Sequence, residues 1–196
     1  MRDKENIEAL IKLKPDIIGF IYSPDSKRFV GYDFEFPKID NIQKAGVFVN
    51  SELGLILTQA SKNTLDIIQL HGDESPEMCK NLKDLGFYVI KVFRIGPNFS
   101  FFPIESYLDS CDAFLFDTDG KTAGGNEYHF DWKVLDNYPY SKEFFLSGGL
   151  GPEDALEIKR LKHPLLTGID VNSRFEIQPG VKNIENLKQF IHDIRE

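Results

Sequence analysis

Only two of the 196 residues are cysteine, Cys79 and Cys111, so no disulfide framework can staple this chain. That usage fits a reducing cytoplasm. Positive charge is also short: 23 Lys and Arg against 31 Asp and Glu leave a formal charge of −8. Phosphate backbones need a basic face, which argues against nucleic acid as the main partner. No apolar run approaches the ~20 residues of a membrane span, and no membrane association is expected. The opening MRDKENIEAL is charged from its second residue and lacks the apolar core of a signal peptide. His129, His163 and His192 show no metal-ligand spacing, so no metal site is expected. No G-x-G-x-x-G follows the first strand-like run, which counts against a dinucleotide site.

What is present is ordinary globular composition, 41% hydrophobic and 28% charged. A chain of this length predicts one domain, here residues 1–196. Short runs rich in Ile, Val and Phe recur at 16–22, 45–50, 67–71, 88–95, 113–118, 144–149 and 168–173. Several are apolar at consecutive positions, as in parallel strands buried on both faces. Amphipathic stretches lie between them. Ile7, Leu10 and Ile11 share one helical face, as do Met78, Cys79, Leu82 and Leu85. Ser75 and Pro76 read as N-cap and first turn with Gly86 as the stop, Gly151 to Asp154 open another helix, and Asn183 caps the last. Residues 31–41 have weak helical period and a proline, so any helix there is short or irregular. Strand–helix alternation predicts an α/β fold, either a (β/α)8 TIM barrel or a doubly wound sheet.

The barrel is favoured by the ends of the runs. His71, Arg94, Asp117, the Ser147-Gly148-Gly149 triplet, Asp170, Asn172 and Ser173 are polar or glycine where each apolar run stops. A barrel gathers all those ends at one face, where active sites form. SGGLGPEDA (147–155) and GIDVNSRFE (168–176) are the strongest local signal. Gly148 and Gly149 let the backbone approach an anion, and free N–H groups at a helix start attract it. Read on spacing alone, the same Ser-Gly-Gly is equally a tight turn. Asp117 ends AFLFDT, where an apolar setting would raise its pKa and suit a general acid. A structural carboxylate capping the next loop fits the spacing as well. Asp119 and Asp131 are weaker candidates, Asp131 reading better as an N-cap. Arg28 in SPDSKRFV could clamp a carboxylate through its planar fork, or simply be solvated. His71 closes IIQLHGDES, a position that suits a packed or hydrogen-bonded histidine more than a base. Cys79 on an apolar helix face and Cys111 at the start of its run read as inert.

Together the motifs resemble the phosphoribosylanthranilate isomerases of tryptophan biosynthesis. The matching pieces are DIIGFIYSPDSKRFV, AGVFVN, IIQLHGDESPEMC, IKVFRI, FDTDGKTAGG with FDW, LSGGLGPEDA and GIDVNSRFEIQPGVKNIENLKQFI, in order over nearly the whole chain. The resemblance implies a (β/α)8 barrel and a cofactor-free Amadori rearrangement. N-(5-phosphoribosyl)anthranilate becomes 1-(2-carboxyphenylamino)-1-deoxyribulose 5-phosphate. A general acid opens the ribose ring to a Schiff base, and a base takes the proton from C2 of the sugar. By motif Asp117 matches the acid and Arg28 the arginine gripping the anthranilate carboxylate. Gly148, Gly149, Asp170, Asn172 and Ser173 match the phosphate cradle, and His71 lines the site.

Three departures stand out. The family opens with a strand reading K-I-C-G-[MI], whose cysteine is the base, and this sequence starts at the Met of that motif. The resemblance then implies a seven-stranded, incomplete barrel without its base, inactive as it stands. Its two open edges, at 16–22 and 168–173, would leave a gap or support a weak homodimer; otherwise it is a monomer. In the loop after the acid, Asn126, Glu127 and Tyr128 stand where a further glycine is usual. Arg174 follows Ser173 where the family has Ser-Gly. The alternative is a non-catalytic phosphosugar-binding barrel. Epimerases need metal ligands, and indole-glycerol-phosphate synthases need lysines at barrel strands. Neither set is found.

Overall fold

The computed structural model describes residues 1–120 and 129–196. Seven parallel strands form one sheet in chain order: β1 Ile17–Ile21, β2 Gln43–Phe48, β3 Ile67–Leu70, β4 Tyr88–Ile95, β5 Ala113–Thr118, β6 Phe144–Leu146 and β7 Leu166–Ile169. Helices α1 Lys4–Ile11, α2 Leu53–Asn63, α3 Pro76–Asp84, α4 Ala155–Arg160 and α5 Ile184–Arg195 lie between or beside them. β1 and β7 are the two ends of the strand order, so the sheet is a curled, incomplete barrel of the (β/α)8 kind. Met1 lies against β1, its ammonium donating to the Gly19 carbonyl at 3.2 Å.

Side chains alternate between two faces along each strand. One set, including Ala45, Ile67, Ile90, Val92, Ala113 and Leu115 with Ile17 and Phe145, fills the inside of the curl. The other set, including Phe20, Phe48, Ile68, Phe114, Phe116 and Phe144, packs outward under the helices. Runs that are apolar at every position are what this double burial demands.

The caps expected at Ser75, Asp131 and Asn183 form, each side chain accepting a backbone N–H of the turn that follows; Asp3 caps α1 in the same way. Residues 31–41 contain no helix; the every-other-residue aromatics Tyr32, Phe34 and Phe36 pack on the outer layer, and Phe36 meets Phe20 at 4.1 Å between centroids. Short 3-10 turns, Phe102–Tyr107 and Trp132–Asn137, stand where full helices would follow β4 and β5. The last strand needs correction. It spans Leu166–Ile169 rather than 168–173, so Asp170 to Ser173 lie beyond it as a loop. β6 likewise stops at Leu146, freeing Ser147 to Gly149. A hairpin unforeseen in the sequence follows, β8 Glu176–Gln178 and β9 Val181–Lys182. Pro179 and Gly180 (φ 85°) make its turn.

One ion pair is buried in the outer layer. Lys91 of β4 contacts Glu74 at 3.2 Å, both side chains at most 3% exposed. Its ammonium also donates to the carbonyls of Leu70 and Gly72. Glu74 accepts the N–H groups of Asn50 and Gly72. The pair therefore fixes the turn that carries His71. Lys91→Met strands a buried carboxylate and should lower stability by roughly 3–5 kcal/mol, with Lys91→Met/Glu74→Gln recovering much of it. Urea denaturation of both variants checks this; equal stability of Lys91→Met and wild type would show the pair to be immaterial.

Candidate active site

The inward parity of each strand runs to its C-terminal end and, after β3 and β7, past it. In β5, Ala113 and Leu115 point inside the curl, and Asp117 is the next residue on that face. In β3, Ile67 points inside, followed by Gln69 and His71. Gly168 of β7 pairs with inward-facing Phe145, and Asp170 continues its side. The sheet thus gathers Gln69, His71, Asp117 and Asp170 at one mouth. His71 Nε2 lies 3.0 Å from Asp117 Oδ2, and both side chains are about one-fifth exposed. The Thr118 N–H donates to Asp117 Oδ1 at 2.8 Å. Arg94 donates to the His71 carbonyl at 3.2 Å, steadying that end of β3.

Asp117 therefore sits among hydrogen-bond donors rather than in the apolar setting the sequence suggested. Asp170 is the carboxyl whose pKa rises, first through desolvation and then through the negative charge of Asp117; Gln69 donates to it at 3.5 Å. Its backbone N–H is bonded to the Leu146 carbonyl. Asp170 thus offers an anion no donor, and its grouping with the cradle gives way to a place beside Asp117.

Gly148 and Gly149 have φ of 93° and 73°, a region that favours glycine. A Cβ on Gly148 would lie 2.3 Å from the Thr118 nitrogen and 2.8 Å from Asp117 Oδ1. Only glycine lets the loop after β6 come this close to the end of β5. Among the described residues, no protein acceptor takes the N–H groups of Gly148, Gly149, Asn172 or Ser173. These loops follow adjacent strands, so their free donors stand along one stretch of the rim. The Asn172 carbonyl and Oδ1 accept the buried Lys182 ammonium at 2.9 and 2.7 Å. Residues 126–128, in the loop that follows Asp117, lie outside the described residues.

Arg28 reaches the mouth because Phe29 bridges to Ile21 and the Val30 N–H bonds the Ile21 carbonyl. It is not solvated. Its Nε and Nη2 grip Glu176 at 2.8 and 2.7 Å. That uses one edge of the guanidinium and leaves the Nη1/Nη2 edge for a second carboxylate. Glu176 and Lys182 were invisible to the sequence reading, since both belong to the unforeseen hairpin. Glu176 also accepts the Gly180 N–H and the Lys182 ammonium. Desolvation pushes its pKa up, but the Arg28 hydrogen bonds and the Lys182 charge outweigh that and hold it below its usual value. Burial lowers the pKa of Lys182.

Neither cysteine reaches the mouth. Cys79 lies on the buried face of α3 and Cys111 precedes β5; burial pushes their thiols up to about 11 and about 12. Among the described residues His129, Asp154 and Glu157 bring ligand atoms within 4.8 Å of one another, a grouping from separate elements that spacing could not show. The Arg174 guanidinium, 3.9 Å from Asp154, already supplies positive charge there.

A depressed carboxylate pKa contributes stability above its ordinary value of 4.5, lost as pH falls through the lower folded-state value. Glu176→Gln should thus cost roughly 1.5–3 kcal/mol at neutral pH, the scale of hydrogen bonds to a charged group. The deficit should shrink below pH 4.5. Urea unfolding between pH 7 and pH 3 measures it; a deficit independent of pH would mean that shape, and not charge, is what Glu176 supplies.

Residues 1–193 match the family model for N-(5'-phosphoribosyl)anthranilate (PRA) isomerase. A protein of Parabacteroides distasonis named N-(5'-phosphoribosyl)anthranilate isomerase is 43% identical over 99% of this chain and 90% of its own length. The crystal structure of phosphoribosyl anthranilate isomerase from Thermotoga maritima superposes with a TM-score of 0.86 at 29% identity, over 100% of this chain and 95% of that one. A structure of such an isomerase in complex with reduced 1-(o-carboxyphenylamino)-1-deoxyribulose 5-phosphate gives a TM-score of 0.83 at 28% identity, with the same coverage.

Proposed function

The chain belongs to the N-(5'-phosphoribosyl)anthranilate isomerase family, and we propose on that footing how its mouth performs the isomerisation of tryptophan biosynthesis. One observation supports the reading: a Cβ on Gly148 would come within 2.8 Å of Asp117 Oδ1, so a single ligand would meet both the carboxylate and the free N–H groups of that loop. A phosphosugar bound there by phosphate presents its ring oxygen to an acid. Phosphate is held by the N–H groups of Gly148, Gly149, Asn172 and Ser173. The anthranilate carboxylate takes the open edge of Arg28, whose other edge Glu176 holds.

Asp117, oriented by His71, protonates the ring oxygen as the C1–O bond breaks, and the substrate nitrogen's lone pair forms the C1=N bond. The Schiff base makes the C2 proton acidic, because the nitrogen accepts the electrons released. Removal of that proton gives an enolamine; C1 then gains a proton and the C2 hydroxyl loses one, leaving the ketone. No cofactor enters, since the substrate nitrogen is the electron sink. Asp170, whose pKa is raised beside Asp117, keeps a proton at the mouth to higher pH. The base that takes the C2 proton is neither Cys79 nor Cys111, both buried away from the mouth. Turnover therefore needs a base other than these two thiols. We place the protein in a reducing cytoplasm, as a monomer or weak homodimer.

The test is an isomerase assay on residues 1–196 beside a form with a cysteine-bearing strand ahead of Met1. Turnover should appear only in the second, and there Asp117→Asn should cut it by ~10²–10⁴, the usual worth of a general acid. Equal activity in the two forms would overturn the base assignment. Activity of the Asn variant within a few-fold of its parent would overturn the acid. A phosphosugar binder that never turns over, even in the extended form, would favour the non-catalytic barrel.

A further inference from the structure

Arg174 departs from the family's Ser-Gly pattern, and its side chain folds back from the loop after β7 onto the loop after β6. Its Nη1 donates to the Gly149 carbonyl at 3.3 Å, and its Nη2 pairs with Glu153. Asp154 Oδ2 lies 3.9 Å from Nη1 and also accepts the Gly151 N–H at 2.7 Å. The guanidinium lies close against Gly151: a Cβ there would come within 2.6 Å of Arg174 Cζ and 2.8 Å of Nη1. The arginine and this glycine are therefore a matched pair, since any side chain at 151 would displace the guanidinium.

We propose that Arg174 is a positioning residue for phosphate, a clasp between the two loops whose N–H groups form the cradle. The inference rests on the phosphate reading above. Each loop carries two of the donors, Gly148 and Gly149 on one and Asn172 and Ser173 on the other. An anion needs both pairs at a fixed separation. Backbone loops joined only through their strands can drift apart at the rim; the Arg174 contacts to Gly149 and Glu153 oppose this. The carboxylates of Glu153 and Asp154 offset the positive charge of Arg174, so it acts by holding geometry more than by attracting the anion. The extra rigidity also answers the Ser173-Arg174 departure, because a side chain replaces the glycine without occupying the donors.

The experiment titrates residues 1–196 with inorganic phosphate and, separately, with anthranilate, by calorimetry, for wild type, Arg174→Gly, Gly151→Ala and Glu153→Gln. Arg174→Gly and Gly151→Ala should each weaken phosphate by about tenfold, the scale of one or two hydrogen bonds. Anthranilate, held by the Arg28 guanidinium and not by the two loops, should bind unchanged. Glu153→Gln should weaken phosphate as well, since it loosens the clasp. Tighter phosphate binding by Glu153→Gln would overturn the positioning role in favour of direct charge. Unchanged phosphate affinity in Arg174→Gly would overturn the inference while leaving the cradle intact. Loss of both ligands together would reduce Arg174 to general structural support. Failure of wild type to bind phosphate at all would remove the cradle reading and the clasp with it.

Discussion

The two-residue period of a parallel strand is the constraint on which this mouth depends. Each strand of the sheet must bury both faces, so its inward positions are apolar until it nears the mouth, where water or ligand takes over. The inward positions there are free to be polar. They are Gln69 and then His71 in and after β3, Asp117 near the end of β5 and Asp170 after β7, carried inward by Ile67, Leu115 and Gly168 beneath them. A shift of one residue in any of these strands would turn its polar residue outward under the helices. The parallel register therefore sets the chemistry as directly as the side chains do. Arg94↔Asp117 and Phe145↔Gly168 are the pairings that fix it.

Around this mouth, charged residues are held by other charged residues instead of by solvent. Glu176, 4% exposed, is gripped by Arg28 and Lys182. Lys182 in turn holds Asn172. A buried ion pair is weak support for stability taken alone, because desolvation offsets the attraction. Its value here is geometric. One carboxylate aims the Arg28 guanidinium edge and, through Lys182, fixes Asn172 in the loop after β7. The Lys91–Glu74 pair does the same for the turn bearing His71, from the opposite face of the sheet.

Much of this was legible in the sequence, for a physical reason. Double burial writes a strand as an unbroken apolar run, and the residue that breaks it marks the mouth; Asp117 and His71 could be read that way. Caps were equally legible, because Ser75 and Asn183 act within one turn of themselves. What the sequence hid depends on contacts distant in the chain. Glu176 lies 148 residues from Arg28 and has no local reason to be acidic. Asp170 looked like part of the anion loop because it is adjacent to it; only the ladder bond to Leu146 shows that its N–H is already used. Extended residues 31–41 failed as a helix because their aromatics alternate to pack on the outer layer.

The glycines after β6 connect these arguments. Gly148 approaches Thr118 closely, Gly149 supplies the carbonyl that Arg174 grips, and Gly151 leaves room for the guanidinium. Three small residues in one loop thus perform three separate tasks, toward Asp117, toward the neighbouring loop and toward the arginine that spans them. Backbone can approach a carboxylate, an anion and a guanidinium in so little length only where side chains are absent. Gly148 and Gly149 also require a positive φ, and at Gly151 a Cβ would collide with Arg174, so substitution at any of the three would disturb the loop before it touched a ligand. The loop's composition follows from how many neighbours its backbone must meet at close range, with ligand binding as one of those demands.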